Sequence, residues 1–413
     1  MSDGWQVCFL SRRYFPTVSG MSVYADNLVR QLVGQGHGVT MLSQYYGGDA
    51  AGVYGGGPPP PVPGASVIGL ESVHEQTRGD FESDIRAMID RVVRAHADAG
   101  FDVIHSQYGY PTGLAGLLAA RQLGLPHVLS IQGGDGHWVG ECCDTHRRAM
   151  QQVCAESDAV IIGSDSFARE VHGRLGTPLD RFTIIPGAVD TARFYPRPGR
   201  TLGELASPPR LLYHGRVDRR KGVFELLDAY QMMRHAGRDL RLTVSGIGPN
   251  YQETRDRAAG IDGVHVGGHV DYFEAPARYR EHDLFVSPTH AEGFSNTILE
   301  AMASGLPIVS CHAVGVVDCL THGRNGRLAR VADVEDLVAQ IQALLDDRGQ
   351  RAGLAETALA DVEEHYAWTA IARRIAEVYT RVIGADPPAG FAPPTLDMRD
   401  AEPCRFRAQP HLL

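Results

Sequence analysis

The nine residues His214-Gly215-Arg216-Val217-Asp218-Arg219-Arg220-Lys221-Gly222 decide how the rest of the chain is read. They follow a short apolar run, Leu211–His214, and precede a helical pattern over Phe224–Arg234, so they form a strand-to-helix turn. Lys221 is the one lysine among 39 basic residues. A bias that severe fits a GC-rich coding sequence in which arginine has replaced lysine wherever a guanidinium can serve. The survivor therefore stands where a compact ammonium with freely rotating donors is needed, as at a phosphate oxygen. Its place agrees, because anions bind where a strand turns into a helix whose first N–H groups face outward.

In both directions from this turn, short apolar runs alternate with helical patterns. Toward the N-terminus the expected strands are Gln6–Leu10, Val39–Leu42, Val67–Leu70, Val103–Ser106, His127–Ile131, Ala159–Gly163 and Phe182–Ile185. Toward the C-terminus they are Arg241–Val244, Val264–Val266, Leu284–Val286 and Ile308–Ser310. Helices are expected over Met21–Val33, Asp84–Ala97, Leu114–Gln122 and Ala367–Val382. The pattern predicts an α/β protein of two doubly wound parallel sheets, with ligands where strands end. Residues 1–196 form the first domain, joined by a returning helix at about 366–384. A linker lies at Pro196–Pro209, and residues 208–365 form the second domain. The Gly/Pro-rich stretch Gly47–Gly64 predicts a mobile surface loop, and the Pro-rich residues 385–413 a flexible tail.

A chain of 413 residues suits two such domains, and 43 % hydrophobic with 21 % charged residues is a globular composition. The net charge of −10 excludes nucleic acid or an anionic membrane surface as the main partner. No apolar run approaches the roughly eighteen residues that span a bilayer, and Met1 to Gln6 lacks a signal pattern, so a cytoplasmic protein is expected. The seven cysteines are odd in number and scattered, which reads as reduced thiols rather than a disulfide framework.

A second stretch, Glu292-Gly293-Phe294-Ser295-Asn296-Thr297-Ile298-Leu299-Glu300, opens another helix after a strand. Asn296 or Thr297 is expected to cap it, with Glu300 closing a capping box onto Thr297. Glu292 and Glu300 then bracket an anion-binding helix end. Carboxylates repel phosphate, so their natural partners are sugar hydroxyls.

These two stretches together resemble the nucleotide-sugar-dependent retaining glycosyltransferases of family 4 (glycosyl transferases group 1), whose GT-B architecture sets two Rossmann-like domains facing across a cleft. Further motifs carry the resemblance over most of the chain. Ser19-Gly20 resembles the family's glycine loop, which often has two glycines. Pro186-Gly187-Ala188-Val189-Asp190 resembles its Pro-Asn-Gly-Val-Asp hinge, with two departures. Phe194-Tyr195-Pro196, Gly246-Ile247-Gly248-Pro249 and Tyr366-Ala367-Trp368 also fit.

The resemblance implies that Arg216 and Lys221 hold the donor pyrophosphate in place of a metal, so no cofactor or metal is expected. Backbone N–H groups of Gly20, Gly293, Phe294, Ser295, Asn296 and Thr297 complete the cradle, aided by Gly246. Glu300 accepts from the ribose, Glu292 binds the donor sugar, and the base lies along the loop that ends at Val270. Transfer retains configuration. The histidine that the family places after the fifth strand is Gln132 here, within Gln132-Gly133-Gly134-Asp135. Either the acceptor needs no base, as a thiol or thione would not, or the residue only orients the donor. His137 is a candidate base in compensation.

Tyr14, Tyr108, Tyr110, Asp135, His137 and Trp138 lie at strand ends of the first domain and are the candidate acceptor-binding set, suited to a small cyclic polar acceptor. His137, Cys142, Cys143 and His146 could suggest a metal cluster. Adjacent cysteines rarely share a metal, however, so helical thiols with a surface histidine are expected. The reading is a glycosyltransferase of bacterial specialised metabolism, with a nucleotide sugar and a small polar acceptor as partners and a homodimer as a compatible state. A sugar-nucleotide epimerase of the same shape and a non-catalytic nucleotide-sugar sensor are the alternatives.

Overall fold

The computed structural model describes residues 4–17, 19–47, 56–385 and 404–409. Part of the Gly/Pro loop and most of the proline-rich tail lie outside them. The chain divides into two compact units, residues 1–186 with 371–413, and residues 187–370.

In the first unit, seven strands form one sheet in the order β3-β2-β1-β4-β5-β6-β7. They are β1 (Gln6–Ser11), β2 (Gly38–Tyr45), β3 (Ser66–Glu71), β4 (Val103–Gln107), β5 (His127–Ile131), β6 (Ala159–Ile162) and β7 (Phe182–Ile184). Every pairing is parallel; β1 pairs β2 and β4 with Val7 opposite Val39 and Val103. Val7, Cys8, Phe9 and Leu10 are all fully buried, because helices cover both faces of a central parallel strand. That double burial is why these strands read as unbroken apolar runs.

Polar residues in this core are paired. The His105 ring bonds Tyr379 Oη (2.6 Å) and Ser130 Oγ (2.7 Å), and the His127 ring bonds Ser106 Oγ and Ser157 Oγ (both 2.9 Å). Burial pushes the His105 pKa down to about 3 and holds His127 well below its ordinary value. Tyr379 lies on the helix Trp368–Ile383, whose Ile371, Ile375, Val378 and Tyr379 face the core at helical spacing.

The second unit has six parallel strands in the order β10-β9-β8-β11-β12-β13. They are β8 (Arg210–His214), β9 (Arg241–Ser245), β10 (Val264–Gly268), β11 (Leu284–Ser287), β12 (Ile308–Cys311) and β13 (Arg327–Ala329). The order reverses between β8 and β11, which makes their C-terminal ends the topological switch point where ligands of such sheets bind. Both stretches singled out from the sequence leave the sheet there.

Three expectations are corrected. The units part between Pro186 and Gly187, inside the hinge motif rather than at Pro196–Pro209, since Phe194 is buried against Tyr279 of the second unit. The returning segment joins the first unit only from Ile371. The tail is not uniformly flexible either. Cys404 and Phe406 are buried, and Arg407 pairs with Glu82 at 2.5 Å.

Candidate active site

The turn after β8 is shaped by close backbone packing. Gly246 has φ 137, and a Cβ there would lie 1.8 Å from Gly215 O. Val217 N–H donates to Ile247 O (2.9 Å), so the loop Gly246-Ile247-Gly248-Pro249 lies directly on the turn. Gly222, in the left-handed region at φ 72, passes Pro288 O so closely that a Cβ would sit 2.0 Å from it. On the other side, Glu292 N–H donates to Val314 O (2.9 Å), and Gly315 allows that approach because its Cβ would be 2.1 Å from Glu292 O.

These contacts bring Lys221 Nζ within 2.6 Å of Glu292 Oε2. Both side chains stay partly open to solvent, at 24 % and 16 % exposure. Arg216 Nε rests 3.3 Å from Asp218 Oδ2, and Arg220 holds the same carboxylate at 2.7 Å. Burial pushes the Asp218 carboxyl up, but the guanidinium partners outweigh it and the net direction is down.

The helix after Glu292 spans Asn296–Ala303 and is capped at Ser295, not at Asn296 or Thr297. The Ser295 side chain makes no capping bond, and the first intrahelical bond runs from Leu299 N–H to Ser295 O (3.2 Å). The N–H groups of Asn296, Thr297 and Ile298 therefore point out of the helix end. The expected capping box is not made. Glu300 lies too far along the helix, and its Oε2 accepts instead from Tyr279 Oη (2.7 Å). Burial raises the Glu300 carboxyl to about 7, and the Tyr279 bond pulls only weakly the other way. Val270 lies half-buried just past β10, beside the exposed His269.

In the first unit, Ser19 caps the helix Gly20–Gly34 by accepting from Ser22 N–H (3.2 Å). Gln132 follows β5; its Oε1 accepts from Gln107 Nε2 (3.2 Å), and its side chain is also hydrogen-bonded to Tyr24. Asp135 is fully buried. Its Oδ1 accepts from Gln132 N–H (3.1 Å) and Gly133 N–H (2.9 Å), and Oδ2 from Gly109 N–H (2.8 Å). Burial raises its carboxyl against the pull of these donors. Asp135 thus fixes the loop that carries Gln132.

Most of the acceptor-binding set is corrected on the same ground. Tyr14 is buried and donates to Asp26 Oδ1 (2.7 Å), while Tyr110 is buried and donates to Glu82 Oε1 (3.2 Å). His137 is buried beside Phe167 with Nδ1 on Glu170 Oε1 (2.9 Å), which takes it out of the role of a base reached by substrate. These rings fill space between the sheet and its helices, where strand-end aromatics pack as readily as they bind. Tyr108 keeps 5 % exposure and carries a left-handed φ of 83, and Trp138 is half-buried. Sequence reasoning missed Asp218, Tyr279, Gly315 and Gln107. Asp218 alone had a signal, since it stands between the two arginines it holds.

The family described as "Glycosyl transferases group 1" matches residues 208–347, and "Glycosyl transferase 4-like domain" matches residues 19–188. The chain belongs to the group 1 glycosyltransferases. Its architecture is GT-B, and its activity is that of a glycosyltransferase. This transferase is 26 % identical over 395 residues to the glycogen synthase of Mycobacterium tuberculosis, covering 91 % of this chain and 94 % of that one. It is 29 % identical over 310 residues to the D-inositol 3-phosphate glycosyltransferase of Pseudarthrobacter chlorophenolicus, covering 68 % and 74 %. Its fold is shared by Anabaena HepE, solved in complex with UDP-glucose, at TM-score 0.70 and 16 % identity over 91 % of this chain and 100 % of that one. Among the described residues, no helix is long and apolar enough to cross a membrane.

Proposed function

We propose that the transferase moves a sugar with retention of configuration from a nucleoside diphosphate sugar to a small polar acceptor, and that the second unit holds the donor without a metal. The observation that carries this reading is the meeting of Lys221 with Glu292 at 2.6 Å beside the open helix start at Asn296. That pairing supports a cation that neutralises phosphate and an acid that grips hydroxyls acting on either side of one sugar-phosphate bond.

In this reading Lys221 and Arg216 offset charge on the departing diphosphate, aided by the N–H groups of residues 296–298. Glu292 has one oxygen on Lys221 and turns the other to the donor sugar. Glu300 takes the ribose. The bond from the anomeric carbon to the phosphate oxygen breaks, and the acceptor bonds that carbon on the same face. The acceptor proton passes to the departing phosphate oxygen. Gln132, steadied by Gln107 and Asp135, orients the donor as an amide donor and takes no proton. The relative that acts on an inositol phosphate supports a small cyclic acceptor of the first unit, and the UDP-glucose complex supports a uridine donor.

The test is to incubate the protein with UDP-, GDP-, ADP- and dTDP-glucose, with and without inositol phosphates and thiols, and to measure released diphosphate. Release from one nucleotide sugar, and a product whose anomeric coupling matches the donor, is the expected result. An inverted product, or release that requires Mg2+, overturns the mechanism.

A further inference from the structure

Three thiols and one imidazole meet in the first unit, on the side of the helix Asp144–Glu156 where that helix begins. Cys142 precedes the helix, Cys143 is its N-cap, His146 lies in its first turn, and Cys404 arrives from the C-terminal segment, 258 residues from His146. One ligand atom from each of the four lies within 4.8 Å of every other. His146 Nδ1 is 3.1 Å from Cys142 Sγ and 3.6 Å from Cys404 Sγ. His146 N–H donates to Cys143 Sγ at 3.5 Å. Cys143, His146 and Cys404 are buried, and Cys142 is half-buried. This overturns one expectation from the sequence, that His146 is a surface residue.

We propose that Cys142, Cys143, His146 and Cys404 form a closed structural zinc site that fastens the C-terminal segment to the first unit. A tetrahedral ion with Zn–S of about 2.3 Å and Zn–N of about 2.0 Å requires sulfurs about 3.8 Å apart and about 3.5 Å from the nitrogen. The two sulfur–nitrogen spacings, 3.1 and 3.6 Å, lie close to that requirement, and the spread of the four ligand atoms, within 4.8 Å, asks for about 1 Å of adjustment at most. Four protein ligands fill the tetrahedron, so the site is structural and leaves no position for substrate. Binding Zn2+ displaces three thiol protons to solvent. The resulting thiolates are stabilised by the N-terminus of the helix and by the backbone N–H donated to Cys143. The His146 ring is fixed by Phe81 (5.5 Å, 90°) and Tyr110 (4.5 Å). The segment has a second anchor, since Arg407 donates to Glu82 Oε1 (2.5 Å) and to Gly79 O (3.3 Å). A helix of only four residues, Arg405–Ala408, cannot hold its own place on a surface, and a metal bond through Cys404 supplies what it lacks.

The experiment is elemental analysis of the full-length protein purified under reducing conditions, paired with native mass spectrometry. The expected result is one zinc per chain, lost in Cys404→Ser and in Cys143→Ser but kept in Cys319→Ser. Replacing zinc by Co2+ in the wild type should give a thiolate charge-transfer band in the near ultraviolet and tetrahedral d–d bands in the visible. This second readout needs no variant to fold. Zinc that survives Cys404→Ser overturns the proposal. So does a reduced wild-type chain that takes up neither Zn2+ nor Co2+ from equimolar solution, or a metal-free chain purified without reductant and lighter by two hydrogens, which would make a disulfide the fastener instead.

Discussion

Moving from about pH 6 to about pH 8 should tighten nucleotide-sugar binding about tenfold through one carboxyl, that of Glu300. Burial holds this group near 7, with Tyr279 Oη on one oxygen. A carboxylate can accept from both hydroxyls of a ribose, whereas the protonated acid has lost half of that capacity. One unit below its pKa the group is ionised in about one molecule in eleven, and one unit above it in about ten of eleven. The ratio corresponds to about 1.4 kcal/mol of binding free energy. The diester phosphates of a nucleotide sugar do not titrate in this range, so the ligand adds no slope of its own. Calorimetric titration of UDP-glucose in two buffers of different ionisation enthalpy would read both the affinity and the protons released. Proton release near pH 7 is expected in the wild type and should vanish in Glu300→Gln. Affinity that is flat with pH, or a slope that persists in Glu300→Gln, would refute the assignment.

Further outcomes follow from the same geometry. Lys221→Ala should lower kcat/KM by about a hundredfold to a thousandfold, as expected for removal of a charged group that stabilises the departing phosphate; a loss below tenfold in steady-state assays would exclude that role. Gly222→Ala forces a side chain into the left-handed region and against Pro288 O, and should lower unfolding stability by more than about 1–2 kcal/mol, read by chemical denaturation. His105 is neutral when folded, with a pKa lowered to about 3, so its contribution is complete above the unfolded value near 6.5 and is lost as pH falls below it, at up to about 1.4 kcal/mol per unit. Glu300, shifted upward, gives the opposite slope between its ordinary range and about 7, whereas His127 adds to that of His105. The unfolding temperature should therefore fall from about pH 6.5 to about pH 5, and a flat profile would contradict it.

Much of the architecture was readable because parallel strands buried on both faces leave unbroken apolar runs such as Val7–Leu10 and Leu284–Val286. The turn at Lys221 stood out for a different reason, since arginine had displaced lysine everywhere else. The first unit's acceptor residues were not, because sequence places a ring at a strand end without saying which way it faces. Tyr110 turned inward to Glu82, and Tyr14 to Asp26. Glu300 was given the wrong neighbour, since the local capping rule cannot see Tyr279 arriving from a separate helix. The cysteine cluster was legible only in part, through Cys142, Cys143 and His146. Its fourth member comes from the far end of the chain, in a stretch that composition alone marks as tail.

The first unit is written in two pieces, with the whole of the second unit encoded between them. On the ribosome, residues 187–370 emerge and can close their own sheet while the first sheet still lacks Tyr379 to cover His105. The N-terminal half must therefore wait, partly open, for the last helix to be made. A gene fragment ending at the hinge would encode a half-domain with an uncovered apolar face, prone to aggregate rather than to work alone.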